Sequence, residues 1–345
     1  MRKVFSVGAI IMMAGVAAAG SQKVSVEVSS VKKVHRPAHR VVAPAANNAS
    51  AARSHQLLCS LRRSERIDKM LNEIVNQTLS MVRTINKEDV AVSLIELCPQ
   101  DGGGPALGHV HGEQMFYASG LARLPYAAAL YSARGNLTGA QRADVMASLR
   151  DGSNEATNNI IGYLRSVKGG EYANWYLSSI GMKNFNVNQR FIAGDPSPAD
   201  AARLGRKLDM NYENSNRLTA NQSASLFYLL AYDALVSPAA SQAMKAYMHH
   251  PLEQKKIGVL AGIADGLPVG SEIITLNGYT VRNYNEAALI KLPNGRQYVL
   301  SVMTKYNGYP TVFIPLLSRT IAFRMMTSTG SEDPALHTYI PARAR

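Results

Sequence analysis

The segment Phe116-Tyr117-Ala118-Ser119-Gly120-Leu121-Ala122-Arg123-Leu124-Pro125 runs directly into apolar sequence that continues to Tyr131. A stretch that is apolar on nearly all sides predicts a helix buried inside a domain, not one lying on its surface. Such a helix presents its N-terminal residues to whatever packs around it, and here these are Ser119, Gly120 and, one turn later, Arg123. Glycine offers no side chain for chemistry. Arginine keeps its proton at physiological pH and cannot accept one from a neighbouring hydroxyl.

On the N-terminal side, Ile67, Met70, Leu71, Ile74, Leu79 and Val82 recur at helical spacing with Gln77 as a polar interruption, predicting an amphipathic helix over 60–85. Alternation from Val90 to Leu97 predicts a strand, and 107–111 its partner beyond a turn at 102–105. Gly102-Gly103-Gly104 lacks the lysine and following helix of a phosphate loop and is read as that turn. On the C-terminal side, helices are predicted over 139–149, 154–167, 172–180, 198–207, 221–235 and 238–247. Strand patterns then return over 272–276, 286–291 and 297–304, with turns near Gly278 and Asn294-Gly295 and a covering helix over 311–325. Strands from both ends enclosing a helical middle predict an α/β fold of the α+β kind: an antiparallel sheet flanked by helices, with an all-helical lobe inserted. The expected sheet lobe is 59–115 with 270–345, and the helical lobe is 116–269.

In that setting the segment resembles Phe-Tyr-Ala-Ala-Ser-x-x-Lys-Leu-Pro of the class A β-lactamase and penicillin-recognising serine hydrolase family, whose serine is acylated and whose lysine helps to deprotonate it. Alignment on Leu124-Pro125 puts Gly120 at the nucleophile and Arg123 at the lysine. A shift of one residue brings Ser119 to the nucleophile but Ala122 to the base. The family's Ser-Asp-Asn, followed by x-Ala-x-Asn, resembles Gly152-Ser153-Asn154-Glu155-Ala156-Thr157-Asn158. Gly152 then replaces the proton-shuttling serine, Ser153 replaces the aspartate, and Asn154 keeps the amide that holds substrate; Ser153 also reads as the cap of a helix beginning at Asn154. Gly266-Leu267-Pro268-Val269-Gly270 leading to Leu276-Asn277-Gly278 resembles the approach to the family's Lys-Thr-Gly, with Leu276 in place of the lysine and only Gly278 kept. Arg190-Phe191-Ile192 is the nearest counterpart of the omega loop, with Ile192 where the family's glutamate stands. The resemblance spans about residues 65–325 and implies a β-lactamase/transpeptidase-like fold.

Composition sets the compartment. Met1-Arg2-Lys3, an apolar run from Val4 to Ala19 and small residues at its end predict an export signal over 1–19. No later segment is apolar enough to span a membrane, so the mature chain is expected to be secreted or periplasmic. Residues 20–58 read as a flexible basic tether. The net charge of +13 invites polyanions, but zinc-finger, RNP-type and basic-helix patterns are missing and nucleic acid is not expected as a partner. Cys59 and Cys98, the two cysteines, are predicted to form a disulfide: an oxidising compartment favours one, and a helix over 60–85 returning through a strand over 89–97 would leave both at one end of the hairpin.

Three other constellations stand out. His109 and His111 alternate on a predicted strand with Glu113 beyond, but a further ligand at a recognisable spacing is missing, so neither a metal nor any other cofactor is expected. His249-His250 is read as a helix end. Tyrosines and asparagines over 172–188 and 211–221, with Trp175, could line a sugar groove or serve core and loops.

The resemblance implies a scaffold kept and a chemistry removed. The expected function is a pseudoenzyme that binds a peptidoglycan-type ligand or another envelope protein in a cleft formed by Ser119, Gly120, Arg123, Ser153, Asn154, Asn277 and Gly278. The alternatives are a weak serine hydrolase using Ser119 or Ser153, and a structural envelope protein whose cleft is filled.

Overall fold

All seven residues of the strand Val90–Glu96 are buried, as in a strand covered on both faces. The computed structural model describes residues 45–82, 85–99, 102–191, 216–249, 262–280, 283–305 and 312–327, all within one compact unit, Val41–Arg345. The expected export signal, residues 20–44 of the expected tether, the helix over 198–207, Ile192 and His250 lie outside the described residues.

The described elements are α1 (Ala45–Ser60), β1 (Arg62–Arg63), α2 (Glu65–Met81), β2 (Val90–Glu96), β3 (Ala106–Val110), β4 (Met115–Tyr117), a 3-10 turn (Ser119–Ala122), α3 (Arg123–Arg134), α4 (Gly139–Arg150), α5 (Asn154–Lys168), α6 (Tyr172–Ser179), β5 (Arg217–Thr219), α7 (Ala220–Ala231), α8 (Pro238–Met248), a 3-10 turn (Ile263–Gly266), β6 (Glu272–Thr280), β7 (Asn283–Lys291), β8 (Gln297–Thr304) and α9 (Phe313–Met326). Among the described residues the main sheet has the order β1-β3-β2-β8-β7-β6. Every pairing in it is antiparallel except β1 with β3. No described helix is long and apolar enough to cross a membrane.

Alternation divides the sheet between two cores. Val90, Val92, Leu94, Ala288, Leu300 and Val302 join α2 and α9 on one face. Ala91, Ile95, Leu276, Ala287, Val299 and Met303 join the helical lobe on the other. Burying each large aliphatic side chain contributes roughly 1.5–3 kcal/mol, so this two-sided apolar pattern fixes β2, β7 and β8 in the middle. β6 is left as an edge strand, packed against the 3-10 turn Ser119–Ala122.

Three expectations are corrected. The helix predicted from residue 60 starts at Glu65, capped by the Ser64 side chain, which accepts from the Ile67 nitrogen. The end of the expected tether is helical: α1 docks through the buried Ser54, whose hydroxyl donates to the Ala234 carbonyl at 2.6 Å. Cys59 and Cys98 are exposed free thiols, not a disulfide. The hairpin argument for a bridge fails because Cys59 belongs to α1, separated from α2 by β1, so the two predicted excursions are not the ones the chain makes.

Candidate functional site

The 3-10 turn Ser119–Ala122 is held from both sides. The Ala118 nitrogen donates to the Asn216 carbonyl at 2.8 Å, and the Tyr117 carbonyl accepts from the side-chain amides of Asn283 at 3.2 Å and Asn285 at 2.7 Å on β7. The turn is thereby pressed against the sheet edge. A Cβ built on Gly120 would lie 2.2 Å from the Asn277 carbonyl oxygen, 2.4 Å from Arg123 Nη1 and 2.7 Å from Gly278 Cα. A Cβ on Gly278 would lie 1.9 Å from the Gly120 nitrogen. Neither position has room for a side chain.

Arg123 fills the space between the first and second motifs. Its Nη2 donates to the Gly152 carbonyl and to Asn154 Oδ1, each at 2.8 Å. Its guanidinium lies over the Phe191 ring, 5.0 Å from the centroid, within cation–π range. Nη1 lies between the two glycines, since a Cβ on Gly152 would sit 3.8 Å from it. The guanidinium thus occupies volume next to Gly120 and Gly152, the two glycines that stand against serines in the resemblance drawn from the sequence. Burial pulls Arg123 down to about 10 from its ordinary 12.5, with Tyr117 and Tyr279 opposing the shift. At neutral pH it remains a cation. Among the described residues no carboxylate pairs with it.

The ring under Arg123 is itself fixed. Asn158 Nδ2 donates to the Phe191 carbonyl at 2.7 Å, and Asn158 Oδ1 accepts from the Phe191 nitrogen at 2.8 Å. Phe191 also meets Tyr126 edge to face at 6.3 Å, and the Tyr126 hydroxyl donates to Asn216 Oδ1 at 2.9 Å. Asn158 was quoted in the second motif but given no role of its own. Phe191 was quoted only as the neighbour of Ile192.

The other predicted site residues are placed as follows. Ser153 caps α5, its hydroxyl accepting from the Ala156 nitrogen at 3.1 Å. Ser119 is buried with a left-handed backbone at φ +49, and among the described residues no base hydrogen-bonds its hydroxyl. Leu276 is buried in the helical-lobe core. Asn277 reaches the site only through its main-chain carbonyl. Strand alternation sends its side chain to the opposite face, where Nδ2 lies 3.5 Å from the Tyr284 hydroxyl.

The histidines do not converge. His111 lies beyond β3 with φ +49, and its Nδ1 is 3.1 Å from the Lys87 and Val90 carbonyls. His109 faces Glu113 at 3.8 Å, and burial lowers its pKa. Among the described residues no group of three or more His, Cys, Asp or Glu side chains could hold a metal. His249 caps the C-terminal end of α8 and bridges to Ile274. Tyr172 and Tyr176 are core residues, and Tyr172 stacks on Trp175 at 5.0 Å. That accounts for these three aromatics without a sugar groove.

The model of the family described as Beta-lactamase enzyme family matches residues 145–322, a span that begins after the turn bearing Gly120. Among solved structures, PBP-A is 18% identical with a TM-score of 0.55, covering 77% of this chain and 98% of its own. A class A beta-lactamase from Bacteroides cellulosilyticus is 14% identical with a TM-score of 0.55, covering 74% and 97%. A beta-lactamase from Desulfarculus baarsii is 13% identical with a TM-score of 0.57, covering 75% and 98%. At such identities the likeness is one of fold. No curated protein sequence matches the chain.

Proposed function

Because the chain belongs to the beta-lactamase enzyme family, we propose that it is an exported pseudoenzyme, which keeps the serine-hydrolase scaffold, forms no acyl intermediate and recognises a cell-wall-type ligand or an envelope partner beside the former catalytic turn. The observation that carries this reading is the Arg123 guanidinium lying next to Gly120, where a Cβ would come within 2.4 Å of Nη1. Acylation needs a hydroxyl and a group to take its proton. Gly120 lacks the first, and a guanidinium that loses its proton only near 10 cannot be the second. General-base assistance is worth about a hundredfold to ten-thousandfold, so an unassisted Ser119 is a poor substitute. Ser153 spends its hydroxyl on the α5 cap. Export rests on the basic and apolar N-terminus, and an anionic envelope partner on the +13 charge.

Penicillin-G tests this reading, because PBP-A has been captured with it as an acyl-enzyme complex. The full chain is incubated with penicillin-G and its intact mass is measured. No mass increase is expected. A stoichiometric adduct would overturn the proposal, and mapping it to Ser119 or Ser153 would establish the hydrolase alternative.

A further inference from the structure

Between β3 and β4 the chain passes from the main sheet toward the Ser119–Ala122 turn through His111 to Gln114, and one imidazole holds that passage. The Gly112 nitrogen donates to Nδ1 of His109, three residues back, at 3.2 Å. The Gly112 carbonyl accepts from the Asn221 nitrogen at 2.9 Å, an amide in the first turn of α7 that its own helix leaves without an acceptor. Asn221 Oδ1 in turn accepts from the Ser93 hydroxyl on β2 at 2.5 Å. The fit is close: a Cβ on Gly112 would lie 2.2 Å from Asn221 Oδ1 and 2.6 Å from His109 Cγ. Sheet, passage and helix are thus tied through one buried glycine.

An imidazole nitrogen accepts a hydrogen bond only while it carries no proton. Because Nδ1 of His109 faces an N–H, the ring proton belongs on Nε2, which lies 3.8 Å from Glu113 Oε1. His111 is the contrast: its Nδ1 faces the Lys87 and Val90 carbonyls, both at 3.1 Å, and donates there whether the ring is neutral or charged. Of the two, only His109 must change its bonding when it gains a proton. The charged groups acting on it are Arg63 on β1, Asp68 on α2 and Glu113 in its own turn. Burial outweighs the two carboxylates and holds the ring below its ordinary 6.5, so it is neutral at neutral pH.

We infer that His109 is an acid-sensitive latch on the passage from the sheet to the Ser119–Ala122 turn: protonation makes Nδ1 a donor facing the Gly112 N–H, breaks that bond and loosens the grip of the Gly112 carbonyl on Asn221. The latch is independent of what the turn binds and of whether it can be acylated.

NMR of the full-length protein over a pH series that spans the His109 titration tests the latch. Above its pKa the His109 ring should show the Nε2–H tautomer, and the Gly112 and Asn221 amide shifts should titrate with the midpoint of the ring. Asn221 amide exchange, corrected for its intrinsic pH dependence, should quicken about twofold to tenfold on protonation, the worth of one net hydrogen bond. In His109→Asn, whose side-chain oxygen accepts at every pH, the protection of Asn221 should persist in acid. In His109→Leu it should be low at every pH. An Nδ1–H tautomer above the pKa, a Gly112 amide that does not follow the ring, Asn221 protection unchanged by protonation, or an acid loss that persists in His109→Asn would each overturn the inference. If His109→Leu does not fold, the wild-type titration and His109→Asn decide the matter.

Discussion

Gly120 and Gly278 meet backbone to backbone: a Cβ on the second would stand 1.9 Å from the nitrogen of the first. The sheet edge closes onto the turn because neither residue carries a side chain, and Arg123 then fills what lies between Gly120 and Gly152. Gly120, Gly152 and Arg123 are thus spatially linked, with one guanidinium taking up the space beside two glycines. A side chain added at Gly120 alone should therefore be poorly accommodated.

Gly120→Ser is expected to destabilise the fold by roughly 1–3 kcal/mol, the usual cost of overpacking, and to leave the protein unreactive toward penicillin-G. Adding Arg123→Lys removes the bulk that the new side chain meets. The two substitutions should then couple favourably by about 0.5–3 kcal/mol in a double-mutant cycle read by chemical denaturation. Strict additivity would show that Arg123 does not occupy that space.

At the second motif, adjacent residues should respond for different reasons. Gly152 has φ +67, and its Cβ position is open to within 3.8 Å of Arg123. Gly152→Ser should thus cost about 1–2 kcal/mol through the left-handed backbone alone. Ser153→Ala loses an N-cap and should cost about 1 kcal/mol. Denaturant midpoints check both, and neither variant should alter the intact mass after penicillin-G treatment.

Asn158→Ala removes both hydrogen bonds that clamp the Phe191 main chain. At about 1 kcal/mol for each net bond, the loss should approach 2 kcal/mol. Amide exchange at Phe191 should accelerate, and the Arg123 side-chain NMR signals should shift as the ring beneath the guanidinium loosens. Unchanged exchange at Phe191 would show that another contact fixes it.

His109 gives a pH signature outside the site. Burial, as the largest cause, lowers its pKa from the ordinary 6.5, with Arg63 acting in the same direction and Asp68 and Glu113 opposing. The unfolded chain then binds the proton more tightly than the folded one, so stability rises with pH across the interval between the two values. The contribution is fully present above 6.5 and is lost as the pH falls through the lower folded value. His109→Gln should flatten that part of the stability-versus-pH curve measured by urea unfolding.

How far the sequence was legible varied with the kind of signal. The strand over 297–304 is legible with its observed bounds, because Tyr298-Val299-Leu300 and Val302-Met303, broken only by Ser301, follow the Asn294-Gly295 turn. The buried helix after Arg123 was equally plain, since Leu124 to Ser132 are all buried. Helix α1 was missed because its Ala, Asn and Ser residues segregate little by polarity. Its docking through Ser54 to Ala234 joins positions 180 residues apart. At the site, the motif frames singled out Gly120, Arg123, Gly152 and Asn154, which the structure brings side by side. That one guanidinium would link them depends on helix placement, which spacing does not encode. Asn277 was assigned to the cleft by motif position, whereas the pleat of β6 turns its side chain away.

A high-resolution crystal structure of the mature protein tests the central claim most directly. The account predicts electron density for the Arg123 guanidinium wedged between Gly120 and Gly152, with Nη2 about 2.8 Å from the Gly152 carbonyl. An open gap between β6 and the turn, with Arg123 swung out into solvent, would contradict it.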